Sequence, residues 1–256
     1  MSTLIVIPAR LGATRLPQKP LRLLGGLPLI VRVWERVAKM NIADRVVVAT
    51  DSERVAIIAR EAGAEVVMTR ADHPSGTDRV AEVALKPEFS GHDVIVNVQG
   101  DEPYVSKAGV QGAAAFVAEG IYPLGTAAFL ASPAVLGDPA VVKVVTDSQN
   151  RALYFSRAPI PFLRDRADAA SRNALVKQHV GVYAYTQPAL ARWVSLPRHP
   201  LELTEQLEQL RAVADGLAMG VATVEPTEGG GIDTEEDLAL ANARWREKAP
   251  TPAGAR

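Results

Sequence analysis

Through its first 120 residues the chain repeats one arrangement: a short apolar run, a polar loop, then a stretch with apolar positions at helical spacing. Leu4, Ile5, Val6 and Ile7 open it as a strand buried on both faces. Gly25-Gly26 mark a turn, and Pro28 suits the first position of a helix. Leu29, Ile30, Val33, Trp34 and Val37 give that helix one apolar face. A second strand is expected over 45–50, with Asp51 or Ser52 capping a helix that runs to Gly63. A third strand (65–68), a helix (77–86), a fourth strand (93–98) and a helix (107–119) complete the series. Strands alternating with helices predict an α/β fold with a doubly wound, mostly parallel sheet.

From Tyr122 the rhythm changes. Strands are expected over 124–131, 141–146, 152–156 and 176–185, with little helix between them. Strands without crossover helices predict a smaller mixed or antiparallel lobe beside the main sheet. Residues 164–172 are polar and read as a mobile loop. Helices return over 187–195 and 203–215, where Leu203, Leu207 and Leu210 line one face, before a strand (218–224) and a helix (234–248). The division expected is a single domain over 1–248, with a core of 1–121 and 216–248 and a lobe of 122–215. The Pro, Ala and Gly tail 249–256 is expected to be disordered.

Composition narrows what such a domain does. A net charge of −1 speaks against a general nucleic-acid or membrane-surface binder, since neither polyanion meets a global positive field. Without cysteine there is no disulfide, thiolate zinc site or cysteine nucleophile. No apolar run reaches membrane-spanning length, so no membrane insertion is expected. The first strand follows Met1-Ser2-Thr3 directly, which leaves no room for a signal peptide and predicts a cytoplasmic protein.

Two loops carry the candidate chemistry. After the first strand come Arg10, Arg15 and Lys19, in a segment stiffened by Pro17 and Pro20. Neither GxxxxGK[ST] nor GxGxxG is present, so a phosphate held here is not held by either fingerprint. After the fourth strand, Gln99-Gly100-Asp101-Glu102-Pro103 places carboxylates at the same sheet edge, where doubly wound folds bind ligands. Cations beside carboxylates are what a metal–triphosphate site requires. Each loop alone is equally an ordinary turn. Further on, Asp233 follows three glycines, and Thr234 with Asp237 fits a capping box that leaves Asp233 free.

Ordered patches over nearly the whole chain resemble the 3-deoxy-D-manno-octulosonate (Kdo) cytidylyltransferases. They include Ile7-Pro8-Ala9-Arg10, Thr14-Arg15-Leu16-Pro17, Lys19-Pro20-Leu21, Ser75-Gly76-Thr77 and Val94-Ile95-Val96-Asn97-Val98-Gln99-Gly100-Asp101-Glu102-Pro103. Tyr154-Phe155-Ser156-Arg157, Leu207-Glu208-Gln209-Leu210-Arg211 and Ile232-Asp233-Thr234 continue the set. The family transfers a cytidylyl group from CTP to the anomeric hydroxyl of Kdo and releases pyrophosphate; the product feeds lipopolysaccharide assembly.

The resemblance implies that Ala9, Arg10, Arg15 and Lys19 contact the triphosphate, and that Ser75, Gly76, Arg79 and Gln99 form the cytosine pocket. It implies Mg²⁺ on Asp101 and Asp233, with Arg10, Lys19, Asp101 and Asp233 the catalytic set. Arg157, His179, Tyr183, Tyr185, Glu208 and Gln209 would take the sugar acid, and a homodimer is expected. Gln178 stands where the family's pattern often has Arg, and 164–172 matches nothing in that pattern. A transferase for another acidic sugar such as sialic acid is the alternative. A catalytically silent nucleotide binder is disfavoured because both Asp101 and Asp233 are present, and a glycosyltransferase because Gly100-Asp101-Glu102 lacks the second Asp of Asp-x-Asp.

Overall fold

The computed structural model describes residues 1–12 and 15–248, so Thr14 of the first motif and the tail 249–256 lie outside the described residues. β1 (Thr3–Ala9) leads through a 3₁₀ turn at Lys19–Leu21 and a hairpin of β2 (Leu23–Leu24) and β3 (Leu27–Pro28) into α1 (Leu29–Met40). β4 (Arg45–Thr50), α2 (Glu53–Glu61), β5 (Glu65–Met68), α3 (Gly76–Ala84), β6 (Val94–Val98) and α4 (Lys107–Ala118) then alternate as expected. Pro28 sits at the cap of α1, one position before its first turn. Ser52, Ser75 and Ser106 accept amides at the starts of α2, α3 and α4, each cap stabilising its helix by about 1 kcal/mol.

The second half supplies β7 (Leu124–Leu130), β8 (Lys143–Thr146), β9 (Ala152–Ser156), α5 (Ala169–Asn173), β10 (Lys177–Tyr185), α6 (Gln187–Ser195), α7 (Pro200–Glu205), α8 (Gln209–Ala214), β11 (Met219–Thr223) and α9 (Glu235–Lys248). The main sheet runs β5-β4-β1-β6-β10-β7-β11, and only β10 runs against its neighbours along that path. Of the four strands expected in a lobe beside the sheet, β7 and β10 therefore extend it, and β8 with β9 branch off, from β10. β1 is buried on both faces as its sequence predicts. Ile5, Ile7 and Ala9 pack toward residues of α1, α2, α4 and α9. Leu4 and Val6 pack toward α3, α6 and α8.

Two expectations are corrected. The single helix over 203–215 is two helices, broken at Gln206, whose φ of 54° ends α7 in the left-handed region. Buried Glu202 pairs with Arg211 through two bonds of 2.8 and 2.7 Å. Nine residues apart on one straight helix, these two would point about 180° from each other; the break brings them together. Leu203 is consequently exposed, while Leu207 and Leu210 are buried. Residues 164–172, expected as a mobile loop, fold into a 3₁₀ turn at Arg166–Asp168 and into α5, because Asp165 caps the turn through the Ala167 amide and alanines follow.

Candidate active site

The carboxyl ends of β1 and β6 flank the point where the winding reverses, and a cleft of about 310 Å³ opens there. Gly100 allows the two ends to meet: a Cβ on it would lie 2.5 Å from the Pro8 carbonyl oxygen. Ala9, Arg10, Arg15, Lys19, Ser75, Gly76, Arg79, Gln99, Asp101 and Asp233 all line this cleft. They come from four separate stretches of chain.

Lys19 is its centre. The loop that carries it is pinned by fully buried Leu16, whose carbonyl accepts the Lys19 amide at 3.1 Å. The Lys19 ammonium donates to Asp101 Oδ2 and to Asp233 Oδ1, both at 2.6 Å. Burial alone would lower this ammonium, but the attraction and hydrogen bonds of Asp101 and Asp233 prevail and hold it above its ordinary value. Exposed Arg15 reaches Asp233 at 3.1 Å, and Arg10 is exposed at the rim.

Asp233 arrives from the far end of the chain by an identifiable route. The Ile232 amide bonds the Asp101 carbonyl at 2.9 Å, setting the two carboxylates side by side. The capping box forms: the Asp237 amide donates to Thr234 Oγ1 and the Thr234 amide to Asp237 Oδ2, at 3.1 and 2.9 Å. The Asp233 amide also donates to Asp237 Oδ2, at 3.0 Å, but its side chain is left free of the helix start, as the sequence implied. Asn242 on α9 then clamps the β2–β3 hairpin through Gly25 and Leu23, and Arg22 pairs with Glu235. The cationic loop and the acidic helix start are thus one unit.

Asp101 and Asp233 converge on one cation, the Lys19 ammonium, and present hard carboxylate oxygens that suit Mg²⁺. Among the described residues no three His, Asp or Glu side chains form a metal-holding group. The pair is a partial donor set, which leaves room for substrate oxygens and water.

On the opposite wall, Ser75 and Gly76 start α3. Gly76 lies so close to Gln99 that a Cβ there would be 3.3 Å from its Oε1. Arg79 is only 2% exposed and holds Thr69 Oγ1 and Asp51, the latter at 3.5 Å. It braces this wall from beneath.

Of the six residues assigned to the sugar, Arg157 follows β9, His179, Tyr183 and Tyr185 lie on β10, and Glu208 and Gln209 stand at the start of α8, all outside the lining of the cleft. His179, Tyr183 and Tyr185 do share one side of the strand, with ring centroids 5.4 and 6.4 Å apart. Tyr185, however, is a fully buried core residue against Trp193, with its hydroxyl accepting from Asn97 at 3.4 Å. Burial pushes its phenol well above the ordinary range. Burial, with Tyr185 and Glu208 nearby, does the same to Tyr183. His179 meets Thr126 Oγ1 and packs edge-on to Phe155, and burial lowers its imidazole to about 3.

Arg157 lies apart from the cleft lining. Its guanidinium donates to the carbonyls of Glu205, Pro139 and Gln206, and its carbonyl accepts from the Lys143 ammonium, so it serves as a structural tie in this structure. Gln209 is buried at the start of α8. Glu208 alone reaches the cleft wall, at Ser75.

Glu102, whose carboxylate the sequence put at this edge with that of Asp101, lies outside the cleft lining and faces Gly231 and Gly181. Burial and the charges of Asp101 and Asp233, against the pull of Lys19, raise its carboxyl to about 8.

A winding-reversal cleft with cations facing carboxylates, on this strand order, is the ligand site of an α/β protein suited to a phosphorylated ligand. Over residues 4–219 the chain matches the cytidylyltransferase family, and it belongs to that family. It is 62% identical over 245 residues to the 3-deoxy-manno-octulosonate cytidylyltransferase of Gemmatimonas aurantiaca, covering 96% of this chain and 95% of the relative. To the protein of the same name from Leptothrix cholodnii it is 45% identical, with 93% and 89% covered. The solved structure of CMP:2-keto-3-deoxy-manno-octonic acid synthetase complexed with CTP superposes with a TM-score of 0.88 at 38% identity, over 96% of this chain and 99% of that one. The inositol-1-phosphate CTP transferase of T. maritima, at 16% identity and a TM-score of 0.65 over 98% of each chain, shares the fold alone. The family read from the motifs is borne out.

Proposed function

We propose that this protein transfers the cytidylyl group of CTP to 3-deoxy-manno-octulosonate. A sugar hydroxyl oxygen bonds to the α-phosphorus, the bond to the β-phosphate oxygen breaks, pyrophosphate leaves, and the hydroxyl proton passes to solvent or base. The observation that carries the reading is Lys19 held between Asp101 and Asp233 at the β1–β6 switch point, with Arg10 and Arg15 alongside. The near-full-length likeness to relatives of that name supplies the substrate pair.

In this scheme Arg10, Arg15 and Lys19 hold the triphosphate and offset the charge that develops on the leaving pyrophosphate. Ser75, Gly76, Arg79 and Gln99 form the base wall, where the carboxamide of Gln99 both donates and accepts. Asp101 and Asp233 would hold Mg²⁺, which supplies charge neutralisation at the α-phosphate and eases loss of the attacking hydroxyl's proton. Between Asp101 and Asp233, Lys19 also limits the repulsion of the two carboxylates before substrate enters.

The same proposal places the enzyme in the cytoplasm as a homodimer; exposed Leu130, Leu153, Phe162 and Leu175, on and beside the β7–β10 strands, are apolar surface that a second copy would cover. Among the described residues no helix is long and apolar enough to cross a membrane. The deciding experiment is pyrophosphate release from CTP and Mg²⁺ with Kdo, with sialic acid and with no sugar. Release that depends on Kdo is the expected result. Release with sialic acid alone moves the assignment to another acid sugar, and none with either removes the transferase reading.

A further inference from the structure

Trp245 lies outside the lining of the cleft, about 15 Å along α9 from Glu235 at the helix start. Its half-buried indole nonetheless meets the supports of the charged groups at the centre of the cleft. The first support is the hairpin that follows Lys19. At its turn Gly25 has a φ of 56°, and a Cβ there would lie 2.3 Å from the Trp245 ring, so the backbone rests on the indole at a distance only glycine permits. The Gly25 amide donates to Asn242 Oδ1 at 2.9 Å. Arg32 closes this clasp from α1. It donates to the carbonyls of Leu24 and Gly25 at 2.9 and 2.5 Å and lays its guanidinium 4.6 Å from the centre of the indole.

The second support is Tyr104, three residues after Asp101. Its buried ring lies 6.4 Å, centre to centre, from that of Trp245, within the range of aromatic contact. Gly229 rests on Tyr104 in turn, where a Cβ would come within 2.6 Å of the phenol ring. Gly229 opens the turn that delivers Asp233, and the Ile232 amide ties that turn to the Asp101 carbonyl. Lys19, Asp101 and Asp233 each stand on a segment packed, directly or through Tyr104, on one indole.

We propose that Trp245 is a positioning residue for the reaction: by seating the hairpin, the Asp101 loop and α9 against one another, it sets the distance at which Lys19 meets both carboxylates. This rests on reading the cleft as the transferase site. A small side chain at this position leaves a void beneath three segments, and each can settle into it separately. A displacement of about 1 Å at the reacting groups costs up to about 10²-fold in rate.

The test compares Trp245→Ala and Trp245→Phe with Trp34→Ala, whose indole packs against Gly63 outside the cleft lining. Hydrogen exchange is followed on the substrate-free protein, and pyrophosphate release is measured with CTP, Kdo and Mg²⁺. In Trp245→Ala, exchange over 19–25, 101–105 and 229–234 is expected to rise together, by about tenfold. The kcat should fall by about tenfold, with the Kdo KM within about twofold. Trp245→Phe, which keeps a flat ring, recovers most of the rate. Trp34→Ala lowers the melting temperature but leaves kcat within about twofold. If Trp245→Ala does not fold, Trp245→Leu takes its place with the same expected split. An unchanged kcat in the folded variant overturns the proposal, as does an equal loss in Trp34→Ala, which would trace the effect to stability alone. Loosening confined to one segment overturns the common support. Wild type that releases no pyrophosphate removes the transferase reading instead, and exchange then decides: the three segments loosening together uphold Trp245 as their shared support, and unmoved segments overturn it.

Discussion

At the β1–β6 edge the functional side chains stand on loops; the ones expected for the sugar stand after β9, on β10 and at the start of α8, where Tyr185 and Gln209 are buried and Arg157, His179, Tyr183 and Glu208 half-buried. The difference decides how much freedom each group has. Lys19, Asp101 and Asp233 spend their hydrogen bonds on one another at the mouth of a cleft, where a ligand can exchange with them. Arg157, His179 and Tyr185 spend theirs on carbonyls, a threonine and an asparagine within the fold. In the first region the chemistry is held by the fold; in the second much of it is used to make the fold.

The sharpest way to break that contrast is Asp101→Asn. The side chain is partly exposed and its principal bond is to Lys19, so melting temperature is expected to hold. Pyrophosphate release with CTP, Kdo and Mg²⁺ is expected to fall by about 10³-fold, the scale of losing a group that stabilises developing charge. A rate within severalfold of wild type would take Asp101 out of the metal-holding pair.

Arg157→Ala probes the other side. Three carbonyls lose a cationic donor, and the half-exposed setting discounts each bond, so a stability loss of about 1–3 kcal/mol is expected. Urea denaturation measures it. The sugar KM should change no more than the CTP KM once folding is allowed for. An unchanged urea midpoint with a sugar KM raised tenfold would return Arg157 to the sugar carboxylate.

What could be read in advance follows the same division. β1 announced itself because alternate residues feed two different helical layers, so every position had to be apolar. The cleft was legible because its residues sit next to strand ends, and because Thr234 with Asp237 explained the helix start without Asp233. That Asp233 meets Asp101 was not legible: it depends on the Ile232 amide bonding a carbonyl across the chain, and on Asn242 clamping a distant hairpin. The break at Gln206 was hidden for a similar reason, since only the buried Glu202–Arg211 pair requires it. Period-2 spacing put His179, Tyr183 and Tyr185 on one side of β10, but spacing carries no information on whether that side faces a ligand or Trp193.

Protonation of His179 tests the packed character of β10 by pH. Thr126 Oγ1 donates to the Val182 carbonyl at 2.7 Å, so its contact with His179 is one in which the neutral ring donates through Nε2. A second proton would fall among Phe155 and Tyr183. The folded value of about 3 lies below the unfolded value near 6.5, so this stabilisation is complete above pH 6.5 and drains away as pH falls toward 3. At pH 5 the loss is about 1–2 kcal/mol. Urea midpoints at pH 7.5 and 5.0 should diverge more in wild type than in His179→Gln, which keeps a donor but cannot ionise. Equal divergence would mean that the ring is open to water.

The smallest expected effect is the most discriminating. Tyr185→Phe removes one hydroxyl from a ring with no exposed surface; that hydroxyl accepts from the Asn97 amide at a long 3.4 Å and also bonds Thr77. If Tyr185 belongs to the core, the change costs about 0.5–1.5 kcal/mol in urea denaturation, because Asn97 loses a weak acceptor while the ring keeps its packing on Trp193. Both Michaelis constants should stay within about twofold, since a hydroxyl with no exposed surface, held by Asn97 and Thr77, is not offered to a ligand. A sugar KM raised tenfold at unchanged stability would mean that β10 offers this hydroxyl to substrate, and the aromatic wall would then be a binding surface like the cleft beside it.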